Sequence, residues 1–207
     1  HELRTPIARL EFALEILQDS GVDEKKRQRI DAMRGDLIEL NSLVSELLNL
    51  AKMEQQHKLQ LQENVAQDFA QMCIDGLPPM REELTLSLKV EPIQKQLLAD
   101  QRLLMRAVQN LLKNAIKYAN RQISLQIREE KDCHLIVVED DGVGIPMAER
   151  ENIFEAFYRL DRSRDRNSGG FGLGLSIVRQ IVQMHCGSIE VGDAELGGAR
   201  FMIRLPK

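Results

Sequence analysis

Two apolar seams open the chain and restrict its fold more than any other feature. Leu3, Ile7, Leu10, Leu14 and Leu17 recur in steps of four and three, the spacing of a coiled-coil-like helix. Asp19-Ser20-Gly21-Val22-Asp23 interrupts the pattern, with Gly21 a natural helix stop. A second seam runs Ile30, Met33, Leu37, Leu40, Val44, Leu47 and Ala51, and Ile38, Leu43, Leu48 and Leu50 widen it. Two such helices joined by a short loop make an antiparallel hairpin, whose stripes are too wide for one hairpin to cover. Pairing of two copies into a four-helix bundle is the expected solution. An intramolecular bundle, or a helix docked on the later residues, is the alternative. Pro6 sits early in the first helix and bends it if turns precede it.

From His57 the texture changes. Lys58 to Gln62 alternates like a strand. A helix is expected over Val65–Asp75, ending before Gly76-Leu77-Pro78-Pro79. Strands are expected at Leu84–Val90 and Gln96–Leu98, a long helix at Gln101–Asn120, and strands at Ile123–Arg128 and His134–Glu139. A helix over Leu175–His185 and a hairpin of Ser188–Val191 with Arg200–Leu205 close the chain. Helices and strands mixed without a repeated βαβ rhythm predict an α+β sandwich. The change of texture near Glu54 to His57 divides the chain into a helical hairpin, 1–56, and an α+β domain, 57–207.

Composition removes several functions. The net charge is −4, from 28 basic and 32 acidic residues, and aromatic residues are 4% with no Trp, so neither a basic footprint nor stacking platforms for nucleic acid are present. The three cysteines, Cys73, Cys133 and Cys186, are far apart and lack paired spacing, which reads as free thiols in a reducing compartment. No apolar run approaches the ~20 residues that span a bilayer, and no signal peptide is seen. If the native protein meets a membrane, the contact is expected only through segments upstream of His1.

Three constellations bear chemistry. On the long helix, Asn110, Asn114 and Lys117 share a face, with Tyr118 beside them, while Leu104, Val108, Leu111 and Ala115 share another. A carboxamide oxygen is a hard ligand suited to Mg²⁺, although two Asn on a helix are also ordinary surface. Next, Val137-Val138-Glu139-Asp140-Asp141-Gly142-Val143-Gly144-Ile145-Pro146 runs an apolar strand into acids and a Gly-x-Gly turn. Asp140 there is placed to accept from an exocyclic amine, or simply ends a strand in a common Asp-Gly turn. Third, Gly169-Gly170-Phe171-Gly172-Leu173-Gly174-Leu175 opens a helix, where backbone amides and the helix N-terminus favour phosphate. It is neither a Walker A loop nor a dinucleotide fingerprint, because no Gly-Lys-Ser/Thr follows and no strand precedes. The polar stretch Asp161–Ser168, with Arg162, Arg164 and Arg166, has the composition of a mobile lid.

The ordered set of an Asn-rich helix, Asp-x-Gly-x-Gly, a Phe-containing segment, a lid and Gly-x-Gly-x-Gly resembles the sensor histidine kinases of two-component systems and the wider GHKL ATP-binding superfamily. The opening His1-Glu2-Leu3-Arg4-Thr5-Pro6 resembles the H box of those kinases. The likeness covers essentially the whole chain and is greatest to the EnvZ/RstB type, on the lid Asp161–Arg166 and on Glu195–Phe201. It implies a GHKL (Bergerat) α/β sandwich following a dimeric four-helix bundle. It also implies ATP and Mg²⁺ as cofactors, a homodimer, and a response regulator of OmpR type as partner.

Residue by residue, the resemblance makes His1 the phospho-acceptor and Glu2 the acceptor of its Nδ1–H, leaving Nε2 to attack. Thr5 matches the threonine that helps dephosphorylate the regulator. The segment Asn110–Asn114 is similar to the N box, with Asn114 the metal ligand, and the resemblance has Asn110, Lys117 and Tyr118 lining the nucleotide. Asp140 matches the adenine-reading aspartate, with Gly142, Gly144 and Ile145 shaping its pocket. Phe154, Phe157, Tyr158 and Arg159 resemble the F box, whose aromatics anchor the lid, with Tyr158 and Arg159 facing the nucleotide. Gly170, Gly172, Leu173 and Gly174 correspond to the phosphate loop. Gly198-Ala199-Arg200-Phe201 resembles the family's last glycine motif in a variable form and is given no catalytic role.

Two other functions use the same ATP motifs: a GHKL ATPase without phosphotransfer, and a degenerate kinase that scaffolds a regulator. The first places a water-activating carboxylate on the Asn helix, yet no acid lies among Asn110–Tyr118. The second is disfavoured by the intact Asn114, Asp140 and glycines. With nothing before His1 its helical turn lacks carbonyl partners, so this stretch alone is expected to bind ATP better than it phosphorylates His1.

Overall fold

A computed structural model describes residues 59–94, 96–160 and 172–207, with isolated helical positions at 10, 27, 28, 30, 31, 33–35, 37, 40 and 44. The chain separates into two compact units, 1–57 and 58–207.

In the first unit the described positions of the second seam do not behave alike. Ile30, Leu37 and Val44, seven apart, are buried, whereas Met33 and Leu40 are 57% and 46% exposed and Leu10 is 54% exposed. One chain thus covers one half of the second seam and leaves the described remainder open.

The second unit is a sheet under three helices. Strands β1 (Gln62–Asn64), β2 (Thr85–Val90), β3 (Leu97–Ala99), β4 (Gln122–Glu129), β5 (Cys133–Asp140), β6 (Ser188–Asp193) and β7 (Ala199–Pro206) alternate with helices α1 (Ala66–Asp75), α2 (Gln101–Tyr118) and α3 (Gly174–Met184). The main sheet has the order β2-β4-β5-β7-β6; β1 and β3 form a separate pair. The β2–β4 pairing is parallel and the other three are antiparallel, so the sheet is mixed.

Register lines up one apolar face: Ile123, Leu125 and Ile127 of β4, Ile136 and Val138 of β5, and Phe201, Ile203 and Leu205 of β7, all buried. The helices answer with stripes of period three to four. These are Phe69, Ala70 and Cys73 on α1; Leu104, Ala107, Val108, Leu111, Leu112 and Ala115 on α2; and Ile177, Val178, Ile181 and Val182 on α3. Burial of this kind contributes about 25 cal/mol per Å² of apolar surface.

Local chemistry sets the element ends. Asp100 caps α2, its Oδ1 accepting the Leu103 N–H at 3.2 Å. His185 joins the far ends of α2 and α3: its Nε2 accepts the Asp100 N–H at 3.0 Å, and its Nδ1–H donates to the Ile181 carbonyl at 2.8 Å. Because Nε2 accepts, the ring is the neutral Nδ1–H tautomer.

Most element ends shift by a residue or two from expectation, and two of the shifts have a clear local cause. The alternating stretch from Lys58 is not a strand throughout; β1 begins only at Gln62, and the Gln60 N–H is taken by Asp100 Oδ2 at 3.1 Å. Buried Asn64 fixes the β1–β3 pairing, its Nδ2 donating to the carbonyls of Gln62, Leu97 and Ala99. Helix α2 stops at Tyr118 rather than Asn120, because the Asp141 carboxylate takes the N–H groups of Asn120 and Arg121.

Candidate functional site

Strand β5 lies in the middle of the sheet and ends in two adjacent acids with opposite surroundings. Asp140 is 4% exposed, and its Oδ1 accepts the N–H groups of Gly142 at 2.8 Å and Ala199 at 3.2 Å. Burial pushes its carboxyl above the ordinary aspartate range; the two N–H groups pull it back, and the Asp141 charge pushes it further up. Asp141 is held below the usual range. Desolvation raises it, and the backbone N–H groups of Arg121, Gln122 and Asn120 more than offset this.

Space around Asp140 is closed by glycines. A Cβ on Gly142 would lie 2.3 Å from the Tyr118 carbonyl oxygen. A Cβ on Gly198 would lie 2.3 Å from Asp140 Oδ1 and 2.4 Å from the Gly142 nitrogen. The Gly198 N–H also donates to the Asp140 carbonyl at 3.1 Å. Three segments therefore meet on this carboxylate: the C-terminus of α2, the loop after β5 and the entry to β7. Gly144 follows with φ +68°, a conformation that favours glycine.

Helices α2 and α3 run so that the C-terminal half of one meets the N-terminus of the other. Asn110 Nδ2 donates to the Gly174 carbonyl at 3.4 Å. Helix α3 opens at Gly174 with Leu173 as its cap residue, and among the described residues no side chain caps it. A Cβ on Gly174 would meet nothing within 4 Å. Uncapped amides beside open space are the chemistry of an anion site.

Before the lid segment, Phe157 (φ +68°) donates its N–H to the Gly172 carbonyl at 3.0 Å, and Gly172 itself has φ +75°. A Cβ on Gly172 would press to 2.6 Å from the Tyr158 carbonyl oxygen. The Tyr158 hydroxyl donates to the Glu149 carboxylate, holding that carboxyl low. Of the expected aromatic anchors, Phe154 is buried, edge-on to Phe201 at 6.4 Å between centroids. Phe157 is 56% exposed and is fixed by its backbone.

The remaining expected residues divide simply. Asn114 and Ile145 are half-buried; Lys117 and Tyr118 are exposed, the ammonium 5.0 Å from the Tyr118 ring centroid; Arg159 is exposed. His1, Glu2, Thr5 and Gly170 lie outside the described residues. Sequence reasoning gave no site role to Gly198 and Ala199, which hold Asp140 in place. The signal was the Gly197-Gly198 pair just ahead of a strand, readable only once that strand is known to neighbour β5.

The residues fit ATP with Mg²⁺ on the structure's own terms. A buried acceptor and an uncapped helix N-terminus flank a helix carrying Asn114. Among the described residues no cluster of three His, Cys, Asp or Glu could hold a metal ion. A single carboxamide suits an ion that keeps waters and shares phosphate oxygens.

Comparison with known proteins agrees with this geometry. Residues 99–207 match the family described as "Histidine kinase-, DNA gyrase B-, and HSP90-like ATPase", and residues 1–56 match "His Kinase A (phospho-acceptor) domain". The sensor histidine kinase CpxA of Escherichia coli (strain K12) is 35% identical over 208 residues, covering 100% of this chain and 45% of CpxA. The sensor protein RstB of the same strain is 35% identical over 207 residues, covering 100% of this chain and 47% of RstB. This chain thus spans about half the length of the curated relatives it matches. Among solved structures, full-length ShkA in complex with AMPPNP superposes with a TM-score of 0.81 at 26% identity, covering 100% of this chain and 44% of that one. The mycobacterial sensor histidine kinase MprB gives 0.61 at 29% identity, over 70% of this chain and 97% of its own. With its ATPase match spanning more than half of the sequence and a phospho-acceptor match ahead of it, the chain belongs to the histidine kinase-, DNA gyrase B- and HSP90-like ATPase family, in the sensor histidine kinase branch.

Proposed function

We propose that this chain is the catalytic core of a two-component sensor kinase. Residues 57–207 bind ATP, and the γ-phosphoryl group passes to His1 of the helical part, 1–56. From there it passes to an aspartate of a response regulator of OmpR type. The observation that carries this reading is Asp140: a buried carboxylate held at one oxygen by two backbone N–H groups. Oδ2 then accepts from the exocyclic amine of adenine, which fixes the ring. The uncapped amides of α3 and the glycines Gly170, Gly172 and Gly174 receive phosphate oxygens, with Leu173 carrying the turn and Asn110, Lys117, Tyr118, Tyr158 and Arg159 lining the nucleotide. Gly142, Gly144 and Ile145 shape the ring pocket. Mg²⁺, held by Asn114, neutralises phosphate charge when bound.

At His1, Glu2 accepts the Nδ1–H and keeps Nε2 unprotonated for in-line attack; Thr5 helps position the water that hydrolyses the regulator's aspartyl phosphate. The uncovered Leu10, Met33 and Leu40 support a homodimer through the helical part. The likeness to ShkA, crystallised with AMPPNP, supports the nucleotide. The likeness to CpxA and RstB, both named as sensors, supports reading this chain as the cytoplasmic part of a membrane sensor.

Incubation with γ-labelled ATP and Mg²⁺ tests this, using the chain and a version extended upstream. Acid-labile, base-stable label that disappears in His1→Gln and in Asn114→Ala supports the kinase. Nucleotide binding without label on either version overturns it in favour of an ATPase or scaffold.

A further inference from the structure

On the sheet face opposite Asp140, directly beside it in sequence, lies an ion pair that the ATP chemistry does not require. Glu139 is 4% exposed, and its Oε1 stands 3.3 Å from Arg200 Nε across the β5–β7 ladder. Both atoms are fully buried, and this contact is their one polar interaction among the described residues. A second nitrogen, Arg200 Nη1, reaches Glu195 at 3.8 Å in the turn before β7.

A buried ion pair is a costly way to hold two strands together. The neighbouring cross-strand pair on the same face, Val137 with Met202, is apolar. Replacing buried pairs by apolar residues is often neutral or stabilising, so their best-attested use is fixing register. Register matters here. The residue before Arg200 donates to Asp140 Oδ1, and the one before that donates to the Asp140 carbonyl. A slip by one residue turns every side chain to the other face and removes both donors. A slip that brings Ala199 to where Gly198 now lies also drives a Cβ against Asp140.

We propose that Glu139 and Arg200 are positioning residues that lock β7 against β5 and thereby set the base selectivity of the site. This inference rests on the adenine reading of Asp140. A carboxylate held in place accepts from the adenine amine and repels the carbonyl that guanine carries at that ring position. Once loosened, it adapts to either base.

The test uses the whole chain, measuring dissociation constants for ADP and GDP by calorimetry, with circular dichroism as the check of folding. Arg200→Met and Glu139→Gln lose at least tenfold of the ADP-over-GDP preference, while Arg200→Lys retains it within about threefold. Should a single variant fail to fold because it strands a buried charge, the double variant Glu139→Gln with Arg200→Gln removes both charges and shows the same loss. An unchanged ADP-over-GDP ratio in the folded variants overturns this inference alone. Wild-type chain that binds no ADP overturns the adenine reading, and the inference with it. A merely structural role lowers the melting temperature and leaves the ratio untouched.

Discussion

Asp140 and Asp141 show how two identical neighbours acquire different work. Asp140 is raised by burial, so the folded state holds its proton more readily than the unfolded chain. The sign follows: its contribution to stability is full below the unfolded pKa and falls as pH rises through the folded one. At neutral pH its charge opposes folding. Asp140→Asn therefore raises the thermal midpoint while weakening ADP binding at least tenfold, about 1.4 kcal/mol, measured by scanning fluorimetry and calorimetry on one preparation. Asp141 is lowered by its backbone donors, so its contribution is present above the unfolded pKa and is lost as pH falls through the folded one. Asp141→Asn is less stable than wild type at neutral pH, and the gap closes in acid; a gap constant with pH counts against this assignment. The sequence separated neither role: Asp-Asp-Gly names an acidic turn, and which acid takes the N–H groups that follow α2 depends on contacts about twenty residues away, beyond any local signal's reach.

At the scale of elements, the helices and central strands were legible because their apolar spacing is strong and their caps are local. Gly76 and the Pro78-Pro79 pair mark an end that the structure keeps, α1 stopping at Asp75. The start of β1 was not legible, since alternation at Lys58–Gln62 was overridden by Asp100 and Asn64, partners distant in sequence. Two predictions belong here. His185→Leu leaves the Asp100 N–H without its acceptor at the end of the α2–α3 pair, while the Ile181 carbonyl keeps the backbone N–H of residue 185. It costs about 1–3 kcal/mol in urea unfolding, with ADP affinity unchanged because the site lies at the other end. Gly198→Ala does the reverse. The Cβ drives against Asp140 Oδ1, so ADP affinity drops by more than tenfold, seen in the same titration, whereas a role confined to β-turn formation would spare it.

For the whole molecule, the mixed sheet places the central strand's exit, the α2 C-terminus and the α3 N-terminus in one unit, and family likeness made that arrangement readable before coordinates. What the sequence left open was which part of the second seam a single chain covers. Ile30, Leu37 and Val44 are covered; Met33 and Leu40 are not. Replacing both Met33 and Leu40 with Glu halves the mass seen by light scattering, with helical signal retained. A dimer that persists shows that its contacts lie elsewhere. The seam itself could not tell, because both sets of positions obey one spacing.

One hydrogen bond, Phe157 N–H to the Gly172 carbonyl, bears on how such chains change over time. It ties together the described residues on either side of the stretch 161–171. A segment whose ends are already fixed can gain or lose residues at little thermodynamic cost. Doubling its length adds only about 0.6 kcal/mol of closure entropy. Insertions between Leu160 and Gly172 are accordingly expected to cost little stability, read as a thermal midpoint close to that of the parent chain.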